Sequence, residues 1–334
     1  MNYRIKTTVV LLSICVLSAM LLSSCRKEEP EVTVPTFKAD TVFKVNGEEV
    51  SLGEWNLYAQ PVKAGIDKLY GKEIWDYKMD AEGKLFGESL KENIRNRIVT
   101  VKLIASKAEE LGVKLTEDDK SEIAISADEY LEILQSSLKD KYGITEDIVE
   151  KVYSDNLLAT KVYEHLTLNV STETEETEVR HMVLQYMMYP KSYETREGDT
   201  VLRTTEEVTK KRNELESKKQ RITNNPKLTL KDCETEELTA SELIADLAEL
   251  KNRLPEDEAG VVFWLRAYEM SPLIETDEAL LLFQCIKIKD EESTNAARVK
   301  VIEEREQQVF GTAYAEWKKD VNVETNEEIW NSLN

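Results

Sequence analysis

The chain has 334 residues, of which 65 are acidic and 44 basic, for a formal net charge of −21. A surface this acidic repels phosphate backbones and anionic headgroups, which argues against nucleic-acid binding and against electrostatic docking on a membrane. Two histidines are too few for a histidine-based zinc site, and the chain lacks G-x-x-x-x-G-K-[ST], G-x-G-x-x-G and G-x-S-x-G, so neither a metal nor a cofactor is expected.

Arg4 and Lys6 precede an uncharged run over residues 7–24, TTVVLLSICVLSAMLLSS, with the charged and apolar regions of a secretory signal. The run ends Leu22-Ser23-Ser24-Cys25, which resembles the bacterial lipobox, where the cysteine is acylated and becomes the first residue. A run of this length is near the lower limit for a membrane span. A cysteine at its end, followed at once by Arg26-Lys27-Glu28-Glu29-Pro30, favours lipidation instead. The expectation is a signal over 1–24, lipid on Cys25, and an extracytoplasmic protein held at the cell membrane. Removing 1–24 takes two cations away and leaves 310 residues of charge −23, enough chain for a substantial core. Cys233 and Cys285 then remain, read first as two separate buried thiols, with a disulfide as the alternative.

Residues 25–40 are rich in Pro and Glu, lack an apolar period and read as a flexible tether. Val42, Val45 and Val50 surround Asn46-Gly47, a hairpin signal. Ser51-Leu52-Gly53-Glu54 has capping-box spacing and opens a helix. Leu90, Ile94, Ile98, Val101, Ala105 and Ala108 recur at three or four, predicting a longer helix that ends before Gly112. Thr116-Glu117-Asp118-Asp119 starts another, with the stripe Ile123, Ala127, Leu131, Leu134 and Leu138, stopped by Gly143. A third follows Thr145, from about 146 to 166. Residues 41–170 are thus a helical unit.

The pattern changes after Leu168. Residues 179–186 read as a strand, and a loop with Pro190 and Gly198-Asp199 follows. Thr204-Thr205-Glu206-Glu207 opens a charged helix that Asn224-Asn225-Pro226 breaks. Leu228-Thr229-Leu230 is a short strand candidate, and Thr239-Ala240-Ser241-Glu242 is predicted to cap a further helix. Residues 280–288 form a buried apolar run that becomes alternating, the clearest strand of the chain. Residues 171–292 are therefore a small α+β unit. The segment 293–334 returns to helix, from 295 to about 320, with Ala297, Val301, Val309, Ala313 and Trp317 on one side. The fold class is α+β, a mainly helical unit with a small α+β insert.

The motifs, in this order, resemble the extracytoplasmic foldases of the PrsA and SurA type, over roughly residues 41–330. The N-terminal match is Val45-Asn46-Gly47-Glu48-Glu49-Val50-Ser51, then Lys102-Leu103-Ile104-Ala105 in a helix ending Glu110-Leu111-Gly112-Val113. Glu178-Val179-Arg180-His181-Met182-Val183-Leu184 is similar to the first strand of a parvulin-type isomerase domain, and Phe263-Trp264-Leu265-Arg266-Ala267-Tyr268-Glu269-Met270-Ser271 to a later turn. The closing helix matches at Tyr314-Ala315-Glu316-Trp317. The resemblance implies a SurA-like chaperone domain, closed by the C-terminal helix, around an inserted parvulin-like domain.

Departures from the family pattern bear on mechanism. Leu281 stands where active parvulins carry a second histidine, no glycine-rich segment follows the central helices, and Tyr268 replaces the turn glycine, so that turn must avoid a positive φ or accept strain. His181 is the one catalytic candidate carried over; its alternative is a hydrogen-bonded structural histidine. His165 reads as capping or packing. The resemblance implies a lipid-anchored chaperone for unfolded or newly exported polypeptides, with weak or lost isomerase activity, in a cleft between the helical unit and the insert. Trp55, Tyr58, Tyr70, Trp75 and Tyr77 are its candidate contacts, or else core. An active peptidyl-prolyl cis-trans isomerase, and a surface lipoprotein that uses the fold as a binding scaffold, are the alternatives.

Overall fold

The computed structural model describes residues 36–333, so the signal segment and Cys25 lie outside the described residues. Strands β1 (Thr41–Val45) and β2 (Glu48–Ser51) pair antiparallel across Asn46 and Gly47, whose φ angles are 50° and 85°. A two-residue turn that follows the strand twist needs positive φ at both positions, which Asn-Gly supplies cheaply. Ser51 caps α1 (Leu52–Tyr70), its Oγ accepting the Glu54 amide at 3.1 Å. The Glu54 carboxylate leaves the cap and turns inward to Lys102.

Next come α2 (Phe86–Ser106), α3 (Glu117–Ile133), α4 (Ser136–Tyr142) and α5 (Glu146–Thr167). The single helix expected from Thr116 to Gly143 is two, because Leu134 and Gln135 are extended. The break lets Leu134 and Tyr142 pack with Tyr130 and Leu131 around Ala127, Ile144 and Val149. It also brings Gly143 onto Gly53 at the start of α1, where a Cβ on Gly53 would lie 2.1 Å from the Gly143 carbonyl oxygen. The Tyr142 carbonyl accepts a bond there from Asn56 Nδ2 at 3.2 Å.

A short turn, α6 (Glu176–Val179), leads into β3 (Met182–Pro190). A small hairpin of β4 (Ser192–Glu194) and β5 (Thr200–Leu202) precedes α7 (Thr205–Asn224). Then follow β6 (Ala240–Ala245), α8 (Leu247–Lys251), α9 (Glu256–Phe263), β7 (Ile274–Glu275) and β8 (Ala279–Lys287). The sheet runs β6-β3-β8-β7, antiparallel throughout. Side chains two apart share a face. Met182, Leu184, Leu281, Phe283 and Cys285 build one core with α8 and α9, while Met187, Tyr189, Leu280 and Leu282 build another with α7 and Cys233. The two cysteines are therefore buried on opposite faces, and both are free thiols.

Two elements differ from expectation. Leu228-Thr229-Leu230 is no strand, because side chains satisfy its backbone: Leu230 N–H donates to Gln284 Oε1 at 2.9 Å, and Gln284 Nε2 donates to the Leu228 carbonyl at 3.2 Å. The helix expected at Thr239 is instead β6, paired to β3 over six residues, and the helix starts only after Asp246, which caps α8. A complete ladder against a buried strand outweighs the local capping signal.

Finally α10 (Glu291–Trp317) returns along α5, with Tyr163 and Phe310 rings 5.1 Å apart. β9 (Val323–Thr325) joins β1, giving a sheet of order β2-β1-β9. α11 (Glu327–Ser332) sets Trp330 edge-on against Trp55 at 5.4 Å. Val42, Phe43, Val50, Ile94 and Ile98 complete this core, which joins segments from both ends of the described residues.

Candidate functional site

His181 lies between α6 and β3, tied to the start of α10. Its amide donates to Thr294 Oγ1 at 3.1 Å, and its carbonyl accepts the Asp290 amide at 2.7 Å. Ring Nδ1 is 3.0 Å from the Val179 carbonyl, a contact that places a proton on Nδ1, and Nε2 is 3.7 Å from Asp246 Oδ2. Arg180 next to it stacks over Phe263 at 4.1 Å and Trp264 at 4.5 Å, and bonds the Phe263 carbonyl and Glu176.

Leu281, in the position of the missing histidine, is buried with Met182, Phe263 and Phe283. These side chains fill the apolar space on that face of the sheet. Burial pushes the Cys285 thiol in the same core up to about 11, against the pull of Arg180, so it stays protonated and unreactive. Tyr268 accepts the strain that a glycine would avoid, with φ at 65°. Its amide donates to the Cys285 carbonyl at 2.6 Å, which holds it there. Prolyl isomerisation requires an apolar seat for the ring and groups that favour a twisted amide over a barrier of roughly 18–20 kcal/mol. The core that follows His181 in β3 is closely packed, with Met182, Leu184 and Phe283 all at 1% exposure or less.

Open apolar space lies elsewhere. A cavity of about 380 Å³ opens in the helical unit among α1, α2 and the chain end, lined by Trp55, Trp75, Leu85, Leu90, Ile94 and Leu333. Trp75 is held by its indole N–H, which donates to Asp67 Oδ1 at 2.7 Å, and by Phe86, 5.8 Å away. Leu69, Tyr70, Tyr77 and Met79, from the segment around Trp75, are more than half exposed. Lys63 and Lys91 border the cavity, and Lys91 also donates to the Trp330 carbonyl. The cavity thus sits within the helical unit, not between it and the insert.

Of the five aromatics singled out in the sequence, Trp55 is core, 4% exposed, and with Trp75 lines this cavity, while Tyr70 and Tyr77 are exposed. Tyr58 is core, its hydroxyl accepting from Asn156 Nδ2 and pushed up to about 12 by burial. Leu85 and Leu333 carry no sequence signal, since only the tertiary fold brings them to the tryptophans.

Beneath the unit lies a buried ion network. Lys102 Nζ is 2.8 Å from Glu48, 2.9 Å from Glu54 and 3.2 Å from Asp155, with Lys151 3.7 Å from Glu54. Burial works against the Lys102 ammonium, but Glu54 and Asp155 outweigh it and raise its pKa. Burial raises the Glu54 carboxyl despite Lys102, while Glu48, half in solvent, is lowered because bonds from Lys102 and Lys151 overcome its desolvation. The network ties β2, α1, α2 and α5 together and so sets the shape of the unit that carries the cavity.

No family model matches the chain. It is similar to the foldase protein PrsA of Clostridium perfringens, 22% identical over 315 residues that cover 88% of each chain. The PrsA of Caldanaerobacter subterraneus subsp. tengcongensis is 30% identical over 103 residues, 30% of this chain and 31% of that one. Among solved structures, PrsA from Lactococcus lactis is 12% identical and covers 87% of this chain and 97% of its own, at a TM-score of 0.32. A structure from a study of SurA-like chaperones in Campylobacter jejuni is 11% identical over 85% of this chain and 98% of its own, at 0.30. These loose superpositions leave the sequence likeness to carry the relation.

Proposed function

We propose that this chain, a PrsA/SurA-like foldase in its sequence, is an extracytoplasmic chaperone that holds unfolded exported polypeptides on the apolar cavity of its helical unit, with isomerase activity weak or lost. The observation that carries this reading is the contrast between the two sites. The tryptophan-lined cavity is open, and the segment between its lining residues Lys63 and Leu85 exposes Leu69, Tyr70, Tyr77 and Met79, whereas side chains fill the core that begins at Met182, next to His181. Rigid amphipathic rings suit adaptable contact with varied chains.

In this reading residues 41–170 and 293–334 make the client-holding unit, and 171–292 a degenerate parvulin-like domain. Residues 1–24 are a signal, 25–40 a tether, and Cys25 carries the lipid that keeps the holder where exported chains emerge. The test is suppression of aggregation of an unrelated unfolded protein by the full chain, run beside a proline-peptide isomerisation assay. Suppression without isomerisation is expected. Isomerisation that His181→Ala abolishes would restore the active-isomerase alternative, and a chain inactive in both assays leaves the scaffold alternative. Replacing Cys25 with Ser should release the chain from membranes; a variant still bound after signal cleavage contradicts the lipid anchor.

A further inference from the structure

We propose that the free edge of β6 is a second polypeptide site, where an extended, basic stretch of an unfolded chain adds as a fifth strand. The proposal rests on the chaperone reading for its occupant and on the sheet for its geometry. The sheet order ends at β6, with β3 on its other side. The Ala240 amide points away from β3 and donates to Glu234 Oε1 at 2.9 Å. In an antiparallel strand the N–H and C=O of one residue point the same way, and the next residue reverses them. Glu242 and Ile244 therefore also turn their main-chain groups outward, and among the described residues nothing bonds to them.

Natural proteins usually blunt such an edge with lysine, proline, a bulge or a covering element. Residues 240–245 contain no lysine, proline or bulge, Glu234 covers the Ala240 amide alone, and the side chains of Glu242 and Ile244 are exposed on one face. Main-chain bonds supply sequence-tolerant affinity in strand addition, and alternate side chains supply preference. Opposite charges pair favourably across strands, so Glu242 selects a lysine or arginine on the incoming chain, and Ile244 an apolar residue two positions along. Asp246, which follows the strand and caps α8, adds a second carboxylate at its end.

The test titrates a labelled peptide of repeated Lys-Thr-Val-Thr against the full chain by fluorescence anisotropy. Glu242→Pro removes an outward N–H and leaves the β3 ladder intact, so it should weaken binding by about tenfold or more. The same peptide methylated on alternate backbone nitrogens should lose affinity for the unaltered chain to a similar degree. Binding that survives both changes overturns the proposal. Circular dichroism checks the variant's fold, and if it fails the methylated peptide decides alone. If the variant instead turns a dimer into a monomer and the peptide never binds, the edge belongs to a second copy and the proposal falls. Unchanged peptide binding with aggregation suppression intact rejects the edge site alone. A chain that suppresses no aggregation rejects the chaperone reading, while the titration still settles the edge.

Discussion

Replacing Lys102 with methionine keeps the volume of the side chain and deletes a charge that is 98% buried. Glu54, itself 5% exposed, then keeps a single partner, Lys151, at 3.7 Å on a side chain 42% in solvent. Breaking a buried ion pair from one side costs about 3–5 kcal/mol. The surviving lysine places the loss near the lower end, at about 3 kcal/mol. The double variant Lys102→Met with Glu54→Leu removes both charges and should recover most of it, because apolar side chains of similar volume replace such pairs at little cost. Urea denaturation followed by tryptophan fluorescence measures both.

The pH dependence has a definite sign. In the single variant the Glu54 carboxyl is raised above its unfolded value by burial with less to oppose it, so the folded state binds a proton that the unfolded chain releases. The deficit should therefore shrink as pH falls from 7 toward 5. In the unaltered chain the raised pKa of Lys102 keeps its contribution constant below the unfolded value of 10.5 and loses it only above that. A loss under about 1 kcal/mol, or a deficit that grows on mild acidification, would refute the reasoning.

Gly53→Ala sets a methyl against the Gly143 carbonyl and should cost about 1–3 kcal/mol, seen as a lower urea midpoint; an unchanged midpoint means that α1 and α4 separate freely. Tyr268→Gly should stabilise by about 1 kcal/mol by releasing the left-handed backbone, and a loss of stability would show that the ring itself is held. His181→Ala should leave aggregation suppression unchanged, because the ring bonds the Val179 carbonyl and neighbours Asp246, and does not line the cavity; a matching fall in suppression would place clients at the insert.

Local chemistry made some elements legible. Asn46-Gly47 specifies its turn, Thr204 and Glu207 form the capping box of α7, and the alternation in 280–288 marks β8. Tyr268 in place of the family's turn glycine left two outcomes open, a turn without positive φ or a strained one, and the structure has the second. Long-range satisfaction hid the rest. Thr239 to Glu242 look like a cap until β3 offers a ladder, and Gln185 and Gln284 look like strand residues, with no hint that they bond the backbone of 228–231. Lys102 enters the sequence reading only within a family motif, since nothing local shows Glu48, Glu54 and Asp155 converging on it. The cavity was half legible: its tryptophans stand out, but Leu85 and Leu333 join them only in the fold.

The central claim, that clients are held on the cavity of the helical unit, is tested most directly by site-specific photo-crosslinking. A photoreactive residue at Tyr77, 61% exposed beside the cavity, is compared with one at Val299, 55% exposed on α10. With an unfolded client present, crosslinks are expected from position 77 and not from 299. Equal yields, or the reverse, would contradict the account.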